Sequence, residues 1–111
     1  MVYISADDFC VKASAYPRLS RQEELECAHG MNHADAAARQ RLIQGYLPMV
    51  AGHIKRMPQH MQSVGLVAYC LQALERAVDS FDFFQNGEKF SHRLSWHLRQ
   101  ASVSYLADHR K

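Results

Sequence analysis

An excess of charge of either sign is missing from this chain of 111 residues, in which 13 Lys and Arg face 11 Asp and Glu for a formal net charge of +2. Such a balance excludes an acidic disordered tail and a histone-like polycation, so any nucleic-acid surface must be local. Cysteine is scarce and odd in number. Cys10, Cys27 and Cys70 lie far apart without a CxxC pair, which argues against a disulfide framework or a four-thiolate zinc site and suits the reduced thiols of a cytoplasmic protein. Long apolar runs are absent as well. The longest stretch free of Asp, Glu, Lys and Arg, from Met57 to Leu74, contains Pro58, Gln59, His60, Gln62, Ser63 and Gln72 and is too polar to span a bilayer. The opening MVYISADDFC has neither a basic region nor an apolar stretch of signal-peptide length, so it is read as part of the mature chain. No Ser, His and acidic residue converge on a nucleophile turn, and no catalytic residues are assigned.

What is present is a helical pattern. With 48% hydrophobic residues, the chain has the length of one domain and enough apolar surface for one core without a metal or cofactor. Alternating β-branched and aromatic runs are few, so the expected class is all-α, a compact bundle of about five helices. A first helix starts at Ser5, with Asp7 and Asp8 at its positive dipole end, and stops by Tyr16 because Pro17 follows. Ser20 to Glu23 form a capping box that opens a second helix, which buries Leu25 and Ala28 and frays at Gly30 to Asn32.

Asp35 caps a third helix in which Leu42, Ile43, Tyr46, Leu47, Val50, Ile54 and Met57 recur on one face, with a kink expected near Gln44 to Pro48 and an end at Pro58. Val67, Cys70, Leu71, Leu74, Val78 and Phe81 form the buried stripe of a fourth helix that ends around Asp82, while Gln72, Glu75, Arg76 and Asp79 point away. After the turn dipeptide Asn86, Gly87, Ser91 is placed as the cap of a last helix with Leu94, Leu98, Ala101, Tyr105 and Leu106 inward. From Ser91 onward four cations, Arg93, Arg99, Arg110 and Lys111, oppose only Asp108, a net +3. That run reads either as a solvated face near a helix C-terminus or, because Trp96 is interleaved, as a phosphate-contacting surface. Trp96 itself reads as a half-buried core residue or as a stacking platform. His29 and His33 are four apart with Cys27 nearby, but a helix broken at Gly30 and Asn32 would separate them, so no metal is assigned.

Three fragments in order then point to a family: YPRLSRQEELECAHGMNHADAAARQRLI, RAVDSF at the end of the fourth helix, and GEKFSHRLSWHLRQA, within which the element from Phe90 to Ala101 weighs most. Together they resemble domain 2 of the bacterial sigma-70 family of transcription initiation factors and the short helical region that precedes it. The resemblance implies one domain over residues 1–111, with 1–34 as the preceding region and 35–111 as the domain 2-like core. It implies a module that docks on the β′ clamp helices of RNA polymerase and opens promoter DNA at the minus-ten element, contacting the non-template single strand. Phe90, Ser91, Trp96, Arg99 and Gln100 match the family's residues at the strand-opening surface, where Gln100 can also read a base edge. His92, Arg93 and His97 replace a Thr, a Tyr and a second Trp, giving a thinner and more basic platform.

The family's acidic docking motif, Asp-Leu-Ile-Gln-Glu-Gly, falls on Gly65, Leu66, Val67, Ala68, Tyr69 and Cys70, which keep the apolar spacing and lose both carboxylates. Weakened polymerase docking is therefore expected. Gly65, Ala68, Tyr69 and Gln72 form an uncharged partner-binding face on which Tyr69 is expected to be an exposed anchor. No helix-turn-helix follows the last helix, so reading of an upstream element is expected to come from a second sigma-like subunit. The alternative is a sigma mimic or regulator that binds an anti-sigma factor or another protein without melting DNA.

Overall fold

Side-chain caps and proline positions account for most of the helix boundaries. The computed structural model describes residues 2–109, and in it six α-helices follow one another: α1 (Ala6–Ser14), α2 (Arg21–Asn32), α3 (Ala36–Gly45), α4 (Leu47–Arg56), α5 (Val64–Ser80) and α6 (Phe90–Asp108), with a 3₁₀ turn at Gln59–Met61. No strand occurs among the described residues, so the chain is all-α. Arg110 and Lys111, two of the four cations counted on the last segment, lie outside the described residues. Ser5 Oγ accepts from the Asp8 amide at 3.0 Å. Ser20 and Glu23 form the complete capping box, Asp35 accepts from the Ala37 and Ala38 amides, and Ser63 Oγ accepts from the Leu66 amide.

Three boundaries differ from expectation, each for a packing reason. The kinked third helix is two helices, α3 and α4, divided at Tyr46, and Pro48 falls in the first turn of α4 where its missing N–H would have been unpaired anyway. Helix α2 does not fray at Gly30 but runs to Asn32, because Gly30 serves as a contact point. A Cβ there would lie 2.7 Å from the Ala38 Cβ of α3, so the glycine lets the two helices close. The helix ends instead in a Schellman turn, with Ala34 at φ 60° and the amides of Ala34 and Asp35 donating to the carbonyls of Met31 and Gly30. Helix α6 begins one residue before Ser91, with Lys89 as an N-cap that makes no side-chain cap bond. Phe90 is drawn inward, its ring 4.7 Å from Tyr46, 5.3 Å from Phe81 and 5.0 Å from Phe83. Burial of that aromatic cluster sets the start of the helix, and Ser91 lies inside the first turn.

The helices pack in pairs, α5 on α6, α1 on α4 and α2 on α3, around a core that includes Phe9, Leu42, Ile54, Leu66, Leu74, Leu94 and Leu98. The apolar stripes read from spacing supply most of it. Two residues are exceptions: Leu25 is only partly buried and lies outside the core, because Glu24, Cys27 and Ala28 take the inward face of α2, and Leu106 stays 47% exposed, because successive helical residues lie about 100° apart and Tyr105 already occupies the inward direction. No described helix is long and apolar enough to cross a membrane.

Candidate nucleic-acid interface

Helix α6 divides its side chains among three directions. Phe90, Leu94, Leu98, Ala101 and Ser102 face the core. Phe90 is only 2% exposed, so it cannot touch DNA as its motif position implied; it anchors the helix. Trp96 points outward at 50% exposure, which removes the reading of it as a core residue. It borders a groove of about 660 Å³ between α5 and α6, shared with Tyr69, Gln72, Arg76, His97 and Gln100 and closed by Ser104 and Asp108. Residues assigned separately to DNA and to a protein partner thus line one groove. His97 stands edge-on to the indole at 5.1 Å. Partial burial, then the Arg93 and Arg76 guanidiniums, hold its pKa below the usual imidazole range, so it is neutral at neutral pH.

The cations of α6 are not equivalent. Arg93 donates from Nε and an Nη to Glu88 Oε1 at 3.1 and 2.8 Å, so its charge is already matched. Arg99 donates only to the Ser95 hydroxyl at 3.1 Å and has no carboxylate partner among the described residues. Gln100 is exposed, and its amide is free of partners among the described residues. On the opposite side of α6, Ser91 lines a hollow of about 350 Å³ with Arg18, Met49, Gly52 and Arg56.

The docking segment on α5 has a different character from the expected open face. Leu66, Val67 and Cys70 are buried, and burial pushes the Cys70 thiol up to about 12. Ala68 and Gln72 are exposed as expected. Tyr69, however, is no free anchor: its hydroxyl donates to Asp108 Oδ2 at 2.5 Å, and its ring packs edge-on against Tyr105 and His109 at 5.3 and 5.9 Å. Gly65 lies under Tyr105, where a Cβ would meet the ring at 2.9 Å, and the Tyr105 and Ser63 hydroxyls are hydrogen-bonded at 2.7 Å. α6 therefore seals the part of α5 from which the carboxylates are missing.

No protein-family profile matches the chain. Over 93 residues, 83% of the chain, it is 34% identical to the RNA polymerase sigma factor SigA of Clostridium acetobutylicum. The chain carries a sigma-factor-like region. It spans about a quarter of that relative, 24% of its length.

Within the sigma-factor-like region, the structure also joins residues that motif reading left apart. His29 and His33 sit on one continuous turn at the end of α2 with their rings 4.5 Å apart, because the expected break at Gly30 does not occur. No group of three His, Cys, Asp or Glu suited to a metal gathers among the described residues. The hollow beside Ser91 adds Arg18 and Arg56, cations on other elements than α6, and His53, one turn before Arg56 on α4, turns inward to the Ser102 hydroxyl at 2.8 Å; the i, i+3 spacing of His53 and Arg56 is the one sequence signal that joins them.

Proposed function

We propose that this chain acts, without enzymatic chemistry, in DNA-templated transcription initiation. In this reading it is a cytoplasmic sigma factor domain 2-like module that engages the RNA polymerase core and the unpaired non-template strand of the promoter minus-ten region. Residues 35–111 form the domain 2-like core and residues 1–34 the helical region before it. The observation that carries the reading is Trp96, an exposed indole on α6 between Arg99, which lacks an acidic partner, and the free amide of Gln100, inside the sigma-factor-like region. An aromatic face accepts any unstacked base, and neighbouring cations neutralise the phosphates on either side. Arg93 and His97 flank this surface, whereas Phe90 supports it from within and Ser91 lies on the opposite side of α6.

Trp96 is the only tryptophan, so its fluorescence reports directly on binding. Single-stranded minus-ten-like DNA should quench it in dilute buffer and release it as salt is raised. Trp96→Ala should weaken binding, measured by anisotropy of labelled DNA, by about 1–3 kcal/mol. Unchanged affinity in that variant would remove the stacking role.

A second reading has an observation of its own. The docking segment presents no carboxylate, Gly65 is covered by Tyr105, and Tyr69 is tied to Asp108. A surface so altered fits a regulator that binds an anti-sigma factor, or another protein, and no longer pairs with basic clamp helices. Absence of any DNA binding in dilute buffer would favour it.

A further inference from the structure

The hollow on the far side of α6 from Trp96 gathers positive charge from two segments and negative charge from none. Arg18 comes from the linker between α1 and α2, Arg56 from the last turn of α4 and Ser91 from the first turn of α6, and no carboxylate among the described residues lines the space they share. Arg21, Arg39, Arg41 and Arg93 each have a carboxylate oxygen within 2.9 Å, whereas neither Arg18 nor Arg56 joins an ion pair among the described residues. Two glycines shape the hollow. A Cβ at Gly45 would lie 2.7 Å from Leu19 Cγ, so this glycine lets Leu19 seat on the end of α3 and fixes the linker that carries Arg18. At Gly52 the one atom a Cβ would meet is an Nη of Arg56 at 3.5 Å, so that guanidinium folds back along α4 over bare backbone and into the hollow. On the remaining wall Ser91 is the second residue of α6, behind an N-cap that makes no side-chain bond, and its amide has no intrahelical partner.

We infer that this hollow binds a phosphate group, gripped by Arg18 and Arg56, with Ser91 as a further donor. Its volume of about 350 Å³ lies at the small end of the roughly 300–1,000 Å³ that ligand sites span, and its make-up is theirs: apolar walls, here Leu19, Pro48 and Met49, with a few polar groups converging. Two guanidinium forks from different segments match the several oxygens of a phosphate, where a single carboxylate would satisfy only one of them. The apolar walls suit the organic part of a phosphate ester. Since Ser91 and Trp96 face different sides of α6, the site does not depend on the stacking surface; only nucleic acid as the source of the phosphate rests on the promoter reading.

The test follows backbone amide and arginine Nε–H resonances of the full chain by NMR at constant ionic strength, with inorganic pyrophosphate in one arm and a short oligothymidine in the other. Pyrophosphate should shift the Ser91 amide and the Arg18 and Arg56 side chains saturably. Arg18→Gln and Arg56→Gln should each weaken binding about tenfold. Lys55→Gln removes the same charge from α4 outside the hollow and should leave affinity unchanged. Gly52→Glu sets a carboxylate four residues before Arg56, a favourable helical pair, and should abolish binding while the thermal midpoint holds or rises. Shifts at Ser91 with both ligands assign the phosphate to a nucleic-acid strand; shifts with pyrophosphate alone keep the site and overturn nucleic acid as its source. No saturable shift with either ligand, or equal weakening in Lys55→Gln, overturns the site. If oligothymidine quenches Trp96 while neither ligand moves Ser91, the promoter reading survives and the site does not; if pyrophosphate moves Ser91 and oligothymidine leaves Trp96 unquenched, the reverse holds.

Discussion

His53, whose pKa is lowered first by burial and then by the charges of Arg56 and Arg99, makes the folded state sensitive to mild acid. In the unfolded chain His53 takes up a proton near its ordinary pKa of about 6.5, whereas in the folded state its pKa is lower. The unfolded state therefore binds more protons below that value, and stability present at pH 7.5 declines as pH falls below about 6.5. His97, lowered by partial burial, Arg93 and Arg76, adds to the same trend. The carboxylates of Asp8, Asp79, Glu23 and Glu88 have lowered pKa values and lose their contribution only below their ordinary range near pH 4, so the two effects separate. Urea unfolding at pH 7.5 and 5.5 should show a loss on acidification that is smaller in His53→Gln; equal losses would remove the role given to His53. At this scale the sequence was legible where burial depends on a residue's own helix, as for Leu42, Val50, Leu74 and Leu98. It was not legible for Phe90 or Tyr69, whose surroundings come from Tyr46 and Asp108, far away in the chain.

Among the elements, the turn between α2 and α3 carries the one left-handed non-glycine residue described, Ala34 at φ 60°. A Cβ in that region costs about 1–2 kcal/mol, and removing it also adds entropy to the unfolded chain, so part of the gain is offset. Ala34→Gly should raise stability by about 1 kcal/mol, seen as a higher urea midpoint with an unchanged slope. A lower midpoint would contradict the assigned geometry. The same turn shows why helix ends were harder to read than helix faces. Glycine commonly ends helices, yet Gly30 is needed inside α2 by the approach of α3, and the stop falls on an alanine that gives no such signal. Ser91 misled similarly, since a good capping residue lost to the burial of Phe90 next to it. Where the caps Ser5, Ser20, Asp35 and Ser63 met no competing packing demand, they hold the helices as their chemistry predicts.

On the scale of the whole molecule, a buried carboxylate ties the first third of the chain to the rest. Glu24, 8% exposed, accepts from the Tyr46 hydroxyl and from Arg21 at 2.8 Å, and Arg21 also donates to the Phe83 carbonyl just ahead of α6. Desolvation, reinforced by Glu24, pushes the Tyr46 hydroxyl far above its ordinary pKa, so it remains a donor. Tyr46→Phe leaves a buried oxygen short of one donor and should cost about 1–3 kcal/mol. If residues 1–34 fold as one unit with the remainder, Trp96 fluorescence and far-ultraviolet dichroism should trace coincident urea transitions in both proteins. Separate transitions would divide the chain. The pairing of α5 with α6 was legible as two apolar stripes, but the ring of Tyr105 over Gly65 was not, because spacing alone does not show which side chain fills a glycine's vacancy. That interlock couples two positions 40 residues apart. A larger residue at position 65 would collide with the Tyr105 ring, and shortening Tyr105 alone would break its bond to Ser63 and its packing on Tyr69, so each change is costly by itself and the two positions can be altered only together, as the halves of a latch.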